Sequence, residues 1–391
     1  MKKVVIVGGG PAGLMTAYML SKTNNFQIQL FDSNKALARK FLVAGHGGFN
    51  LSNAENQSTF LEKYNHSFIK DAVSDFSNEQ TIEWLSEIGI ETFVGSSGKI
   101  FPKKGTKPIT VLNTWLGALK SKKVEIFTEH LLSNFDGENV SFLTENEQAV
   151  QYDYNYLVFA LGGASWKKTG STGNWIELFQ KKNIDVIPFQ SSNAGISITE
   201  WKGGLGGGVL KNTEICIDDT KLFGEIELTS YGLEGAPVYA LSHKVRQGAS
   251  CLYLNLKPSF SKEKLDEKFS FFKGSKTDFL KEIKLSKSAI ELLKNQLSKA
   301  EFLDNSKFLS SIQNLELPIE ALQPIDEAIS TVGGISMQEI TDSFEMKKNP
   351  NHFCAGEMLD WDAPTGGYLL QACFAIGNKI ANKIINDNYL T

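Results

Sequence analysis

The sequence predicts an α/β protein: a parallel sheet with helices against it, interrupted by a β-rich region and a helical insertion. Three observations predict this. A β-branched run, Val4-Val5-Ile6-Val7, leads into a glycine cluster and then into apolar residues at helical spacing. Two later segments, residues 156–163 and 352–357, are again short apolar strands that end in glycine. Between them, residues 195–256 alternate between apolar and polar, and residues 261–317 lose glycine and turn helical. At 391 residues the chain exceeds one ordinary domain of about 100–200 residues. Hydrophobic content of 41% and charged content of 21% suit a globular protein rather than a disordered or membrane-spanning one. A net charge of −4 argues against a dedicated nucleic-acid binder, which is usually strongly basic.

The first strand runs into Gly8-Gly9-Gly10-Pro11-Ala12-Gly13, a GxGxxG segment. Gly8 allows the tight turn, and Gly10 lets a pyrophosphate approach the backbone. Gly13 lets the helix sit close to the strand, and the helix N-terminus offers free N–H groups. Leu14, Ala17, Tyr18 and Leu20 carry the helix towards Ser21. Residues 27–31 read as a second strand, ending at Asp32, where a carboxylate can accept both ribose hydroxyls of an adenosine. GxGxxG alone is a weak signal; the order strand, turn, helix, strand, acid makes it a dinucleotide site. The alternative is a plain glycine turn with Asp32 as a strand-end residue.

A nicotinamide dehydrogenase is the default owner of this fingerprint. The later segments favour a flavin. Ala160-Leu161-Gly162-Gly163 resembles the Ala-Thr-Gly-Gly strand end of two-dinucleotide-fold FAD proteins, with Leu161 in place of Thr. In that superfamily an acid placed as Glu357, after Ala355-Gly356, reaches the ribityl chain. Gly366-Gly367-Tyr368-Leu369 opens an apolar helix that runs through Ile385. Its N–H groups would face the flavin edge that becomes negative on reduction.

With these segments in view, the chain resembles the BaiN/YhiN-type, aminoacetone-oxidase-like FAD-binding flavoproteins over nearly its whole length. The carriers are Ala38-Arg39-Lys40-Phe41, Asn50-Leu51-Ser52-Asn53, Gly98-Lys99-Ile100-Phe101-Pro102, Gly162-Gly163-Ala164-Ser165-Trp166 and Gly170-Ser171-Thr172-Gly173. Thr229-Ser230-Tyr231-Gly232, Val332-Gly333-Gly334-Ile335, and the stretch from Ala355 to Tyr368 complete the set. The chain is most similar to a branch with Trp166 rather than Tyr after Ala-Ser, and with Met358-Leu359-Asp360-Trp361. It departs from the family at Gly48 and Phe49, where Arg and Cys are common, and at Lys167, where Pro is common. Those departures weaken the transfer of substrate chemistry but not of FAD binding.

The resemblance implies a Rossmann-like FAD domain of the two-dinucleotide-fold type, cut into residues 1–190 and 331–391. A β-rich substrate domain is expected at 191–260 and 318–330, and a helical insertion at 261–317. Cofactor contacts are expected from Gly8, Gly10, Pro11, Ala12, Gly13, Asp32, Arg39, Lys40, Asn50, Leu51, Ala160, Leu161, Gly162, Gly356, Glu357, Gly366, Gly367, Tyr368 and Leu369.

The chemistry is expected to be carried by FAD, with the protein supplying binding, orientation and exclusion of water. A second GxGxxG is absent, and residues 203–208 fail its spacing. NAD(P)H is therefore expected only as a transient donor at the flavin face. The substrate pocket is expected between the FAD and β domains, with Trp166, Ser336, Trp361 and Tyr231 as lining candidates. Tyr231 is a candidate proton donor, against the plainer reading of a turn tyrosine. His46 is a candidate partner for reduced flavin, against a phosphate or loop contact. Both tryptophans also suit plain packing beside the cofactor.

Cys216, Cys251, Cys354 and Cys373 form no CxxC pair, and the five histidines are scattered, so no metal site is expected. Glycines and a proline break the N-terminal apolar run, which disfavours a signal peptide, and no apolar run of 18 residues exists. A cytoplasmic protein without membrane attachment is expected. Lys99, Lys103, Lys104 and Lys107 form the one local basic cluster, read first as a solvated loop.

The expected activity is an FAD-dependent oxidoreductase acting on a small molecule. One alternative is a flavin-dependent RNA-modifying reductase that converts uridine to dihydrouridine in ribosomal RNA. Another is a flavin-binding sensor or assembly module without turnover. The sequence names no oligomeric state.

Overall fold

A computed structural model describes residues 1–43, 49–202 and 208–390. The chain forms two compact units, residues 1–190 with 330–391, and residues 191–329.

The first unit is built on a five-stranded parallel sheet. Its order is His352–Cys354, Tyr156–Phe159, Lys2–Val7, Phe26–Phe31 and Glu125–Phe127. Val4, Val5, Ile6, Leu157, Val158 and Phe159 are fully buried, as continuous apolar strands covered on both faces should be. The first strand begins two residues earlier than the β-branched run suggests, because Lys2 and Lys3 pair with Phe26 and Gln27. The helix Pro11–Leu20 follows the glycine loop, with Pro11 in its first turn, where a missing N–H costs nothing. It lies against the C-terminal helix Tyr368–Leu390. A Cβ on Gly377 would sit 2.7 Å from the Ala12 carbonyl oxygen, so this contact needs a glycine. An antiparallel meander, His130–Phe135, Asn139–Thr144 and Ala149–Asp153, covers the sheet beside Phe31. A small sheet, Ser52–Asn53, Lys99–Pro102 and Thr92–Val94, supports the start of the C-terminal helix.

The second unit holds a closed barrel. Its strand order is Ile196–Ile198, Gly232–Glu234, Thr220–Leu228, Gly208–Ile217, Cys251–Asn255 and Leu315–Leu322. Ile196, Leu210, Ile215, Ile226, Leu233, Leu252 and Leu317 fill its core by alternation along the strands. Five helices between residues 262 and 313 separate the last two strands. Each starts at a Ser or Asp whose side chain accepts an N–H of the first turn: Ser261, Ser275, Ser286, Ser298 and Asp304. Ala289, Leu292, Leu293, Leu297 and Ala300 recur at helical spacing in the sequence, yet this apolar stripe is not one helix. It breaks between Lys287–Gln296 and Lys299–Leu303, where Ser298 and Glu301 form a capping box. Among the described residues no helix is long and apolar enough to cross a membrane.

Candidate cofactor site

The glycine loop sorts its members by geometry. Gly8 has φ +114°, and a Cβ there would lie 2.1 Å from the Ala160 carbonyl oxygen. A Cβ on Gly13 would lie 2.0 Å from the Gly8 carbonyl oxygen. These two glycines let strand, turn and helix close on one another. Gly10 differs: its backbone is ordinary (φ −80°) and a Cβ would meet no atom within 4 Å. Gly10 faces a cavity of about 300 Å³ at the N-terminus of the helix Pro11–Leu20, and that terminus has no side-chain cap.

Asp32 lines this cavity. One carboxylate oxygen accepts the Gly9 N–H at 2.8 Å, and the other accepts the Asn34 N–H at 2.8 Å and its side-chain amide at 3.0 Å. The carboxylate is thus held before any ligand arrives. Ser33, Asn34, Arg39, His130, Leu131 and residues 169–172 line the same cavity. Arg39 donates to the Asn34 side-chain oxygen at 3.1 Å and to the Lys168 carbonyl at 2.7 Å.

Gly356, Glu357, Lys40 and Cys373 also line the cavity. Lys40 donates to both oxygens of Glu357, at 3.0 and 2.9 Å, and to the Ser165 hydroxyl at 2.6 Å. The Thr331 N–H also donates to Glu357, at 3.0 Å. Gly356 adopts φ +78° against Ala12, and its carbonyl accepts the indole N–H of Trp361 at 2.8 Å. Burial, then the nearby Glu357, pushes the Cys373 thiol up to about 12, so it is neutral near pH 7.

Ala12, Ala160, Leu161 and Gly162 also line the cavity, with Pro11. Among the described residues, Gly13, Asn50, Leu51 and residues 366–369 do not. Leu51 is fully buried, and its N–H is taken by the Ile100 carbonyl at 2.8 Å. Asn50 is partly exposed. Gly366 and Gly367 adopt φ +115° and +104°, and a Cβ on Gly367 would lie 2.5 Å from the Ser52 carbonyl carbon. Tyr368 is buried against Phe60, and its carbonyl accepts the Tyr64 hydroxyl at 2.8 Å. Leu369 is partly buried in the core.

Sequence reasoning missed the residue that holds this turn. Gln371 is completely buried. Its side-chain oxygen accepts Ser52 at 2.7 Å and Thr81 at 2.8 Å, and its amide donates to the Phe76 carbonyl at 2.7 Å. Nothing in the spacing of a lone Gln near a helix start signals those distant partners.

The candidate substrate residues each have a local structural role. Trp361 is 2% exposed and turns its ring inward onto Gly356. Ser336 is buried, and its hydroxyl caps a turn by accepting the Gln338 N–H at 3.3 Å. Trp166 is 37% exposed and left-handed (φ +59°), at the start of the 3-10 turn Lys167–Thr169. Tyr231, in the second unit, donates its hydroxyl to Glu234, which also accepts Tyr239 at 3.0 Å. Burial and the Glu234 carboxylate push the Tyr231 phenol well above its ordinary value, which keeps it neutral. His46 lies outside the described residues. In the basic cluster, Lys103 pairs with Glu91 at 2.8 Å, and the Lys99 side chain reaches the Gly366 turn.

An FAD fits these residues. The open space at Gly10 and the bare helix N-terminus suit a pyrophosphate. The fixed Asp32 suits a ribose. Glu357 with Lys40 offers both a carboxylate and a cation to a polyhydroxylated chain.

The family described as HI0933-like protein Rossmann domain matches residues 2–383. A 3-dehydro-bile acid delta(4,6)-reductase of Clostridium scindens is 22% identical, covering 96% of this chain and 97% of its own. A ribosomal RNA dihydrouridine synthase of Haemophilus influenzae is 24% identical, covering 94% of both chains. Among solved structures, a 3-ketosteroid-delta4-(5alpha)-dehydrogenase from Rhodococcus jostii shares the fold. Its TM-score is 0.52 at 10% identity, covering 97% of this chain and 96% of that one.

Proposed function

The chain belongs to the HI0933-like Rossmann family of FAD-dependent oxidoreductases, and on that premise we propose that it passes electrons between bound FAD and a small organic molecule. The observation that carries this reading is a single cavity lined by Gly10, Asp32, Lys40 and Glu357, with open space where a Gly10 side chain would stand. Bound FAD supplies the hydride and electron transfer; the chain supplies the geometry. Asp32, held by Gly9 and Asn34, accepts the ribose hydroxyls. The N–H groups of Ala12 and Gly13 receive the pyrophosphate where a side chain on Gly10 would stand. Lys40 and Glu357 orient the ribityl chain, with Trp361 fixing the Gly356 carbonyl behind them.

Two relatives support a substrate with a reducible carbon–carbon double bond, since a delta(4,6)-reductase and a dihydrouridine synthase both saturate one. NAD(P)H is proposed as a donor that docks at the flavin face and leaves. Anaerobic stopped-flow mixing with NADH and with NADPH tests this reading, followed by a panel of unsaturated acceptors. Bleaching of the flavin by either nicotinamide, and recolouring by an acceptor, is the expected result. A flavin that neither nicotinamide nor any candidate substrate reduces would refute turnover and leave the flavin-binding module.

A second reading, reduction of uridine in ribosomal RNA, is favoured by the near full-length likeness to the Haemophilus influenzae protein. Loss of dihydrouridine from ribosomal RNA in a deletion strain would select it; unchanged RNA would refute it.

A further inference from the structure

We propose that residues 167–173 form a clamp on the adenosine half of FAD, in which Ser171 donates the hydroxyl that distinguishes FAD from FMN. The proposal rests on the flavin reading above. Its starting point is the Ser171 hydroxyl oxygen, which is buried and has no hydrogen-bond partner. Burying an unpaired hydroxyl costs free energy, so an alanine would be the more stable choice if nothing bound there. Ser171 also lines the cavity, and it follows Gly170, which closes on the Asn34 that Asp32 holds. If Asp32 holds the ribose, this is the adenosine compartment. Serine has three staggered side-chain positions, so its hydroxyl can turn to a bound ligand without moving the backbone.

The segment is tied to the ribose carboxylate by a chain of contacts. Asp32 accepts the backbone and side-chain N–H groups of Asn34. Asn34 accepts Arg39, and Arg39 donates onward to the Lys168 carbonyl. Gly170 completes the closure. It is left-handed, with φ +93°, and a Cβ there would lie 2.6 Å from the Asn34 amide. Gly173 (φ +68°) bends the chain again on the other side of Ser171. A seryl hydroxyl without a partner thus sits between two glycine bends, on a loop pinned to the group that reads the ribose. FMN, which carries the same ring and ribityl phosphate but no adenosine, would not reach this wall.

The test titrates wild-type, Ser171→Ala and Arg39→Ala apoproteins with FAD and with FMN, following flavin fluorescence, and melts each apoprotein. The Ser171→Ala change should weaken FAD roughly tenfold, equivalent to about 1.4 kcal/mol. FMN affinity, or its failure to bind, should be the same as wild type. The Ser171→Ala apoprotein should melt no lower than wild type, because it loses an unpaired hydroxyl. Arg39→Ala, which frees the clamp, should weaken FAD and leave FMN unchanged. FAD affinity unchanged in Ser171→Ala would overturn the proposal, as would equal losses for both flavins or a lowered apoprotein melting temperature. A wild-type protein that binds no FAD would instead overturn the flavin reading, and this clamp with it.

Discussion

Replacing Gly10 by valine separates binding from folding more sharply than any other change in the loop. The Gly10 backbone is extended at φ −80°, and a Cβ would meet no atom within 4 Å. The apoprotein should therefore accept valine at a stability change within about 1 kcal/mol, the scale of a helix N-cap preference. The new side chain stands where a pyrophosphate must approach the Ala12 and Gly13 N–H groups. Hydrogen bonds to a charged group contribute about 1.5–3 kcal/mol each. Losing one or two of them weakens FAD by about 2–4 kcal/mol, roughly 30- to 1,000-fold. Gly13→Ala is the contrast, because its Cβ would sit 2.0 Å from the Gly8 carbonyl oxygen and must disturb the strand–helix contact itself. Calorimetric titration with FAD, paired with melting of the apoproteins, reads both effects. A Gly10→Val protein that melts normally and binds FAD as tightly as wild type would refute the assignment of this loop to the pyrophosphate.

Other changes test the support around the site. Gly367→Ala forces a side chain into a left-handed residue 2.5 Å from the Ser52 carbonyl carbon, and the strain alone should cost about 1–3 kcal/mol in a denaturant titration. Gln371→Leu leaves the Ser52 and Thr81 hydroxyls and the Phe76 carbonyl without their partner; at least about 2 kcal/mol of stability should be lost, read by thermal melting. Alkaline pH should destabilise the apoprotein. Burial raises the thiols of Cys354 and Cys373, the latter to about 12, so the folded chain keeps protons that the unfolded chain releases near pH 8.5. Stability is then full below that pH and falls above it until the folded value is reached, by up to about 1.4 kcal/mol per pH unit per thiol. A Cys354→Ala, Cys373→Ala double variant should flatten that fall.

The strand–turn–helix–strand unit around the glycine loop was legible because its signals are local. Val4 to Val7, the glycines and Asp32 lie within one strand–turn–helix–strand unit, and the spacing marks Gly8 and Gly13 as the glycines that strand, turn and helix need to close on one another. The strand ends at Ala160 and Gly356 were legible for the same reason. What escaped is set by partners far along the chain. Gln371 looks like a surface residue of a helix until Ser52 and Thr81 arrive from another sheet and another helix. Trp361 and Ser336 were candidates for the pocket, with packing the alternative for Trp361; their contacts, to the Gly356 carbonyl and to the Gln338 N–H, come from backbone that the sequence does not place. The apolar stripe after Ala289 carried the correct period, but Ser298 broke it by capping the next helix. Local propensity outranked the hydrophobic pattern there.

The most direct test of the account is the visible spectrum of the purified chain after incubation with FAD and removal of the free cofactor. The account predicts a yellow protein with one FAD per chain, released as FAD on denaturation. A colourless protein, or one that retains only FMN, would contradict it.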